Sequence, residues 1–152
     1  MTVPNGPRVG PMTFTLEASA AEVRRVLGRA LDCFGPVLDE EGAGSVQMAL
    51  AEVMNNIVEH AYQDRQSGPI RLTLRRGEEG LTCQIEDEGL PMPGLSLPPG
   101  QMQPVAAQTR DLAEGGWGWA LIHALTEELS YDRVGGTNRL RFRVPLDGAR
   151  TG

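Results

Sequence analysis

Ile70-Arg71-Leu72-Thr73-Leu74 and Leu81-Thr82-Cys83-Gln84-Ile85 each alternate apolar and polar residues, and Gly77-Glu78-Glu79-Gly80 stands between them. Alternation with a period of two marks a strand with one buried and one wet face, and the glycine-flanked turn makes the pair a hairpin. Met12, Phe14 and Leu16 alternate with Thr13 and Thr15 in the same way, as do Leu140, Phe142 and Val144 with Arg141 and Arg143. A further strand is expected from Leu129 to Val134, joined to the last by a turn at Gly135-Gly136. Helical spacing fills the gaps. Val23, Val26, Leu27 and Ala30 form an apolar stripe after Ser19, a candidate N-cap followed by Glu22. A second stripe runs Val46, Leu50, Val53 and Ile57 with Ser45 as its candidate cap, and a third runs Ala120, Leu121, Ala124 and Leu125. Antiparallel neighbours with helices over one sheet face make an α+β fold, a two-layer sandwich.

Composition narrows the function classes. The 152 residues fit one domain, with 40% hydrophobic and 22% charged residues, the balance of a folded globular chain. A formal net charge of −6 argues against direct nucleic-acid binding, which leaves a basic footprint. Arg71, Arg75, Arg76, Arg139, Arg141 and Arg143 fall by their spacing on the solvated face of the sheet. No apolar run is long enough to span a membrane, and Met1 to Pro11 lacks a secretion-like hydrophobic segment, so a cytoplasmic protein is expected. Cys33 and Cys83 lack a metal-binding neighbourhood and read as small buried hydrophobes in a reduced compartment. His60 and His123 fall inside helices with no nucleophile pattern nearby and read as hydrogen-bonded structural residues.

Three further segments carry candidate chemistry. Glu52 and Asn56 lie four positions apart on the second helix and so share a face; the amide oxygen suits a hard cation and the carboxylate suits a base. A solvent-facing polar helix surface is the competing reading. Asp87, at a strand end before Glu88-Gly89, can accept from a planar amino group, although Asp-x-Gly is also a common turn. Gly115, Gly116 and Gly118 precede an apolar helix without the lysine of a phosphate-binding P-loop, which leaves a helix N-terminus as the anion donor, or a simple hinge. Between these segments, Leu90 to Glu114 holds Pro91, Pro93, Pro98, Pro99 and Pro104 and stands where a lid over a ligand would be.

The four stretches ALAEVMNNIVEHAY, IEDEGLPMPG, GGWGWALIHALTEELSY and GGTNRLRFRVPL, in this order, resemble the anti-sigma-factor serine/threonine kinases, a branch of the Bergerat-fold, histidine-kinase-like ATPases. The likeness covers Thr13 to Leu146. It implies a mixed, mainly antiparallel sheet with helices on one face, ATP and Mg2+ as cofactors, and Glu52 as catalytic base. It further implies Asn56 as magnesium ligand, Asp87 with Gly89 at the adenine, Gly116 and Gly118 at the phosphates, and Thr137 near the adenine. The implied division is a flexible segment 1–11, an ATPase domain 12–146 with its lid at 90–114, and a tail 147–152. The implied partners are a sigma factor and an antagonist of the STAS type, with homodimers common. Pro91 stands where a second glycine is frequent in the superfamily, and Trp119 where a smaller aliphatic residue is usual. No phosphoacceptor-histidine helix precedes the domain, so a complete histidine kinase is not expected. Two rival readings remain: a non-catalytic ATP-dependent binding module, and a relative that binds partners without nucleotide.

Overall fold

The computed structural model describes residues 9–63, 67–97 and 117–146. The strands are β1 (Val9–Glu17), β2 (Pro69–Gly77), β3 (Gly80–Asp87), β4 (Glu127–Val134) and β5 (Thr137–Val144). The helices are α1 (Ala20–Phe34), α2 (Glu40–Asn56) and α3 (Trp117–Leu125), with a π-helical turn at Ile57–Ala61 and short 3-10 turns at Gly35–Val37 and Pro93–Leu95. β1 begins at Val9, inside the segment expected to be a flexible N-terminus. Among the described residues no helix is long and apolar enough to cross a membrane.

The five strands lie in the order β1-β2-β3-β5-β4. Every pairing is antiparallel, so the two-layer α+β class holds, while the parallel component implied by a mixed sheet is missing among the described strands. Both expected hairpins form. Gly135 and Gly136 turn β4 into β5 with φ of 59° and 81°, values that a side chain at either position would strain.

The alternation sorts the sheet as expected. Ile70, Leu72, Leu74, Leu81, Cys83, Ile85, Leu140, Phe142 and Val144 are buried, and they meet Val46, Leu50, Val53 and Met54 of α2 in one core. Arg71, Arg75 and Arg141 are exposed on the opposite face, and Arg139 there donates to Asp132 at 2.7 and 3.0 Å. Arg76 departs from that expectation. It is in phase with Leu74, so it points inward and is buried, and its Nε donates to the Val37 carbonyl at 3.1 Å. Cys83 is buried, and its apolar surroundings push the thiol pKa up, but Cys33 is exposed; both are free.

Two helix readings need correction. Ser19 caps α1 as expected, accepting from the Glu22 N–H at 3.1 Å. The cap of α2 is Asp39, whose carboxylate accepts from the Gly42 N–H at 2.7 Å, and Ser45 lies inside the helix. Aspartate outcompetes a later serine because Glu40 and Glu41 already place negative charge against the positive end of the helix dipole. Among the described side chains of α3, Trp119 and Ile122 are buried while Ala124 is exposed, so the inward stripe is rotated from the expected one.

Glycine has opposite meanings at two positions. A Cβ on Gly89 would overlap the carbonyl of Ala61, which also accepts the Leu90 N–H at 2.6 Å. A Cβ on Gly28 in α1 would meet nothing within 4 Å. Gly89→Ala is therefore expected to destabilise by about 1–3 kcal/mol through overpacking against backbone. Gly28→Ala should stabilise by about 0.5–1 kcal/mol by relieving the helix of a flexible residue. Urea unfolding of the two variants checks the pair, and similar shifts at both positions would contradict the packing.

Candidate functional site

The site grows from the end of α2. Asn56 Nδ2 donates to the Glu52 carbonyl one turn back at 2.9 Å, which leaves the amide oxygen as the free end. The helix then widens into the π turn at Ile57–Ala61, a deformation that often accompanies functional sites. Tyr62 follows, buried, with its hydroxyl donating to the Pro69 carbonyl at 2.6 Å and accepting from the Glu88 N–H at 2.7 Å. Ile70 and Asp87 form the last paired rung of β2 and β3, so the tyrosine supplies the next bridge between these strands and ties the helical layer to the strand end that carries Asp87.

Three separated segments meet here. A Cβ built on Gly118, in the first turn of α3, would sit 2.6 Å from Glu52 Oε2, so the glycine lets α3 approach that carboxylate, and 3.9 Å from Asn56 Nδ2, an ordinary contact distance. Asn56 and Asp87 line a single cavity of about 330 Å3 together with His60, Met92, Trp119 and Asn138. That volume suits a small-molecule ligand. Glu52 is half-buried at the Gly118 side of this site. Trp119 is 8% exposed and its indole serves both core and cavity wall. His60 is exposed and stands on the cavity wall, 3.9 Å from the Glu59 carboxylate, so it is not the internally bonded residue expected. His123 is exposed on α3 with its ring 6.5 Å from that of Trp119.

Asp87 is the electrostatic centre of the cavity. It is 6% exposed, and its Oδ1 accepts from the Gly89 N–H at 2.9 Å and from Asn138 Nδ2 at 2.8 Å. Burial raises its pKa above the usual carboxylate value, opposed by the bonds from Asn138 and Gly89 and by the nearby charge of Arg133.

Not every expected residue reaches the cavity. Gly89 is packed against Ala61 behind the site and holds Asp87 by its amide. Thr137 opens β5 on the opposite sheet face, in a hollow of about 260 Å3 shared with Arg71, Glu86 and Arg139. Gly116 and the expected lid beyond residue 97 lie outside the described residues. The residue missed by sequence reasoning is Asn138. Its signal was available: the alternation that turns Leu140 and Phe142 inward turns residue 138 inward and 137 outward.

Comparison with known proteins fits this geometry. The chain belongs to the histidine kinase-like ATPase domain family, whose model matches residues 12–144. Among curated proteins it is similar to the serine/threonine-protein kinase BtrW of Bordetella bronchiseptica, with 36% identity over 90 residues, 59% of this chain and 61% of that protein. It is also similar to the anti-sigma F factor of Clostridium beijerinckii, with 27% identity over 97 residues, 64% of each chain. The match thus spans less than two thirds of these relatives. The RsbU and RsbW domains of Rv1364c from Mycobacterium tuberculosis share the fold, with a TM-score of 0.60 at 18% identity, over 91% of this chain and 33% of that one.

The buried carboxylate has a pH signature. Because the Asp87 pKa is raised on folding, its contribution favours the folded state at low pH and is lost as pH rises through the folded pKa. Asp87→Asn, which keeps an oxygen for Gly89 and Asn138, is therefore expected to melt higher than the unmodified protein at pH 7. The gain should shrink as pH falls toward the ordinary aspartate value of about 4. Melting curves between these limits test it; a gain that does not depend on pH would refute the assignment.

Proposed function

We propose that this chain binds magnesium-ATP and transfers the γ-phosphoryl group to a serine or threonine hydroxyl of a STAS-type antagonist, while also holding a sigma factor in the cytoplasm, as a homodimer. The observation that carries the proposal is that Asn56 and Asp87 line one cavity, while Gly118 of α3 stands against the Glu52 carboxylate and near Asn56. The names of the similar proteins, an anti-sigma factor and a serine/threonine-protein kinase, support the same class.

Each residue has a task that its surroundings permit. Asp87 presents an acceptor to the exocyclic amino group of adenine, and Trp119 and Met92 supply apolar surface beside the base. The amides in the first turn of α3 face phosphate oxygens, which allows a protein of net charge −6 to hold an anion through local donors. Asn56 fits a magnesium ion because its nitrogen is committed to the Glu52 carbonyl, leaving its oxygen outward. A magnesium ion held through Asn56 would take most of its other ligands from phosphates and water. The ion, when bound, would neutralise charge on the transferring phosphoryl group. Glu52 accepts the proton of the attacking hydroxyl, a role supported by its position beside Gly118 in the first turn of α3.

Glu52→Gln keeps size and polarity but removes the base. Phosphoryl transfer is expected to fall by about two to four orders of magnitude while ATP affinity changes little. Mass spectrometry of phosphoserine or phosphothreonine on purified antagonists, beside ATP titrations of both proteins, provides the measurement. Undiminished transfer by the variant would remove Glu52 from the role, and absence of transfer to every antagonist tried would favour a nucleotide-dependent binding module. Asn56→Ala should weaken the magnesium dependence of ATP binding, and equal ATP affinity with and without magnesium in the unmodified protein would overturn the metal assignment.

A further inference from the structure

Asn138 is 5% exposed at an inward strand position where the following inward residues, Leu140, Phe142 and Val144, are all apolar. A buried amide is costly there unless its donors and its acceptor are met. They are met. Nδ2 donates to Asp87 Oδ1 at 2.8 Å and to the Leu90 carbonyl at 2.8 Å. Oδ1 accepts from the Tyr131 hydroxyl at 2.6 Å and from the Arg133 guanidinium at 2.8 Å. A guanidinium can only donate, so the amide has one permitted orientation, with oxygen toward Arg133 and nitrogen toward Asp87. The network continues into the chain after β3: Arg133 also donates to the Gly89 carbonyl at 2.8 Å, and the Tyr131 oxygen accepts the Met92 N–H at 3.0 Å.

This arrangement divides the two oxygens of Asp87. Oδ1 is held by Asn138 and the Gly89 amide, whereas Oδ2 takes no hydrogen bond among the described residues. We infer that Asn138 is a positioning residue for base recognition, which turns Asp87 so that Oδ2 is left for a ligand amino group. Through Tyr131 and Arg133 it also fastens the Leu90–Met92 segment to that same carboxylate. The ligand class is a nucleotide whose base offers an amino donor at the cavity floor, which adenine does. The six-position of guanine bears a carbonyl, and two acceptors would then face each other. The inference rests on the magnesium-ATP reading and adds what sets base selectivity within it.

Calorimetric titration with magnesium-ATP and magnesium-GTP tests it on the unmodified protein, Asn138→Ala, Asn138→Ser and Tyr131→Phe, each with a melting curve to confirm folding. Asn138→Ala should lower the preference for ATP over GTP by about ten- to a hundredfold, the range for losing a hydrogen bond to a charged group. Serine cannot serve Asp87, Leu90 and Arg133 together, so Asn138→Ser should lose part of that preference while packing more gently if alanine fails to fold. Tyr131→Phe should release the Met92 amide to faster hydrogen exchange, with a smaller loss of preference than Asn138→Ala. A general loss of stability would weaken both nucleotides alike and leave their ratio unmoved. An unchanged ratio in either folded Asn138 variant overturns the inference while leaving ATP binding intact. Failure of the unmodified protein to bind either nucleotide would instead overturn the magnesium-ATP reading itself, and this inference with it.

Discussion

The Tyr62 hydroxyl is the contact on which the site depends. It is the point where the helical layer, the start of β2 and the end of β3 are joined by one side chain, with both hydrogen-bonding capacities used. A β-sheet end normally frays, because its last carbonyls and amides find only water. Here the Pro69 carbonyl and the Glu88 amide find a buried phenol instead, and Asp87 is the residue just before that bridge. The Ala61 carbonyl, next to Tyr62, takes the Leu90 amide, so a second bond fixes the chain on the far side of Asp87. The requirement for glycine at 89 follows, since only a residue without Cβ fits between these two anchors.

Charge is distributed with the same economy. On the outer sheet face the arginines meet carboxylates in cross-strand pairs, Arg71 with Glu86 and Arg139 with Asp132, and Arg143 with Glu127 and Glu128. Such exposed pairs contribute little to stability, about 0–1 kcal/mol each. Their effect is to keep cations from forming the continuous basic surface that a nucleic acid would need. The buried charges behave differently. Asp87 and Arg76 are each held by specific bonds inside the fold, where a missing partner would be costly. One of them lies in the cavity, and the other holds the α1–α2 connection to the sheet.

Much of the fold was legible because period-two alternation and turn glycines are local signals. The strands around Met12, Ile70, Leu81, Leu129 and Leu140 form at the expected places, and Ser19 caps α1. Errors arose where the sequence offered two similar choices. Asp39 and Ser45 are both acceptable caps, and the earlier one prevails with Glu40 and Glu41 following it in the first turn, where their charge favours the positive end of the helix dipole. Arg76 looked like its neighbours Arg71 and Arg75 until its phase was compared with Leu74.

The sequence alone determined the alternating strands, the hairpins, the helix that carries Glu52 and Asn56, and the acidic strand end at Asp87, because each rests on spacing within a few residues. Tertiary structure decided what lies against these groups: Gly118 beside Glu52, Tyr62 across the sheet end, and Asn138 rather than Thr137 on Asp87. Those contacts join residues dozens of positions apart, and spacing along a chain gives at most the face on which a residue such as Asn138 falls, not the partner it meets there. They exist because α2, α3 and β5 must share one apolar core, and burying that core brings their polar ends to the same place.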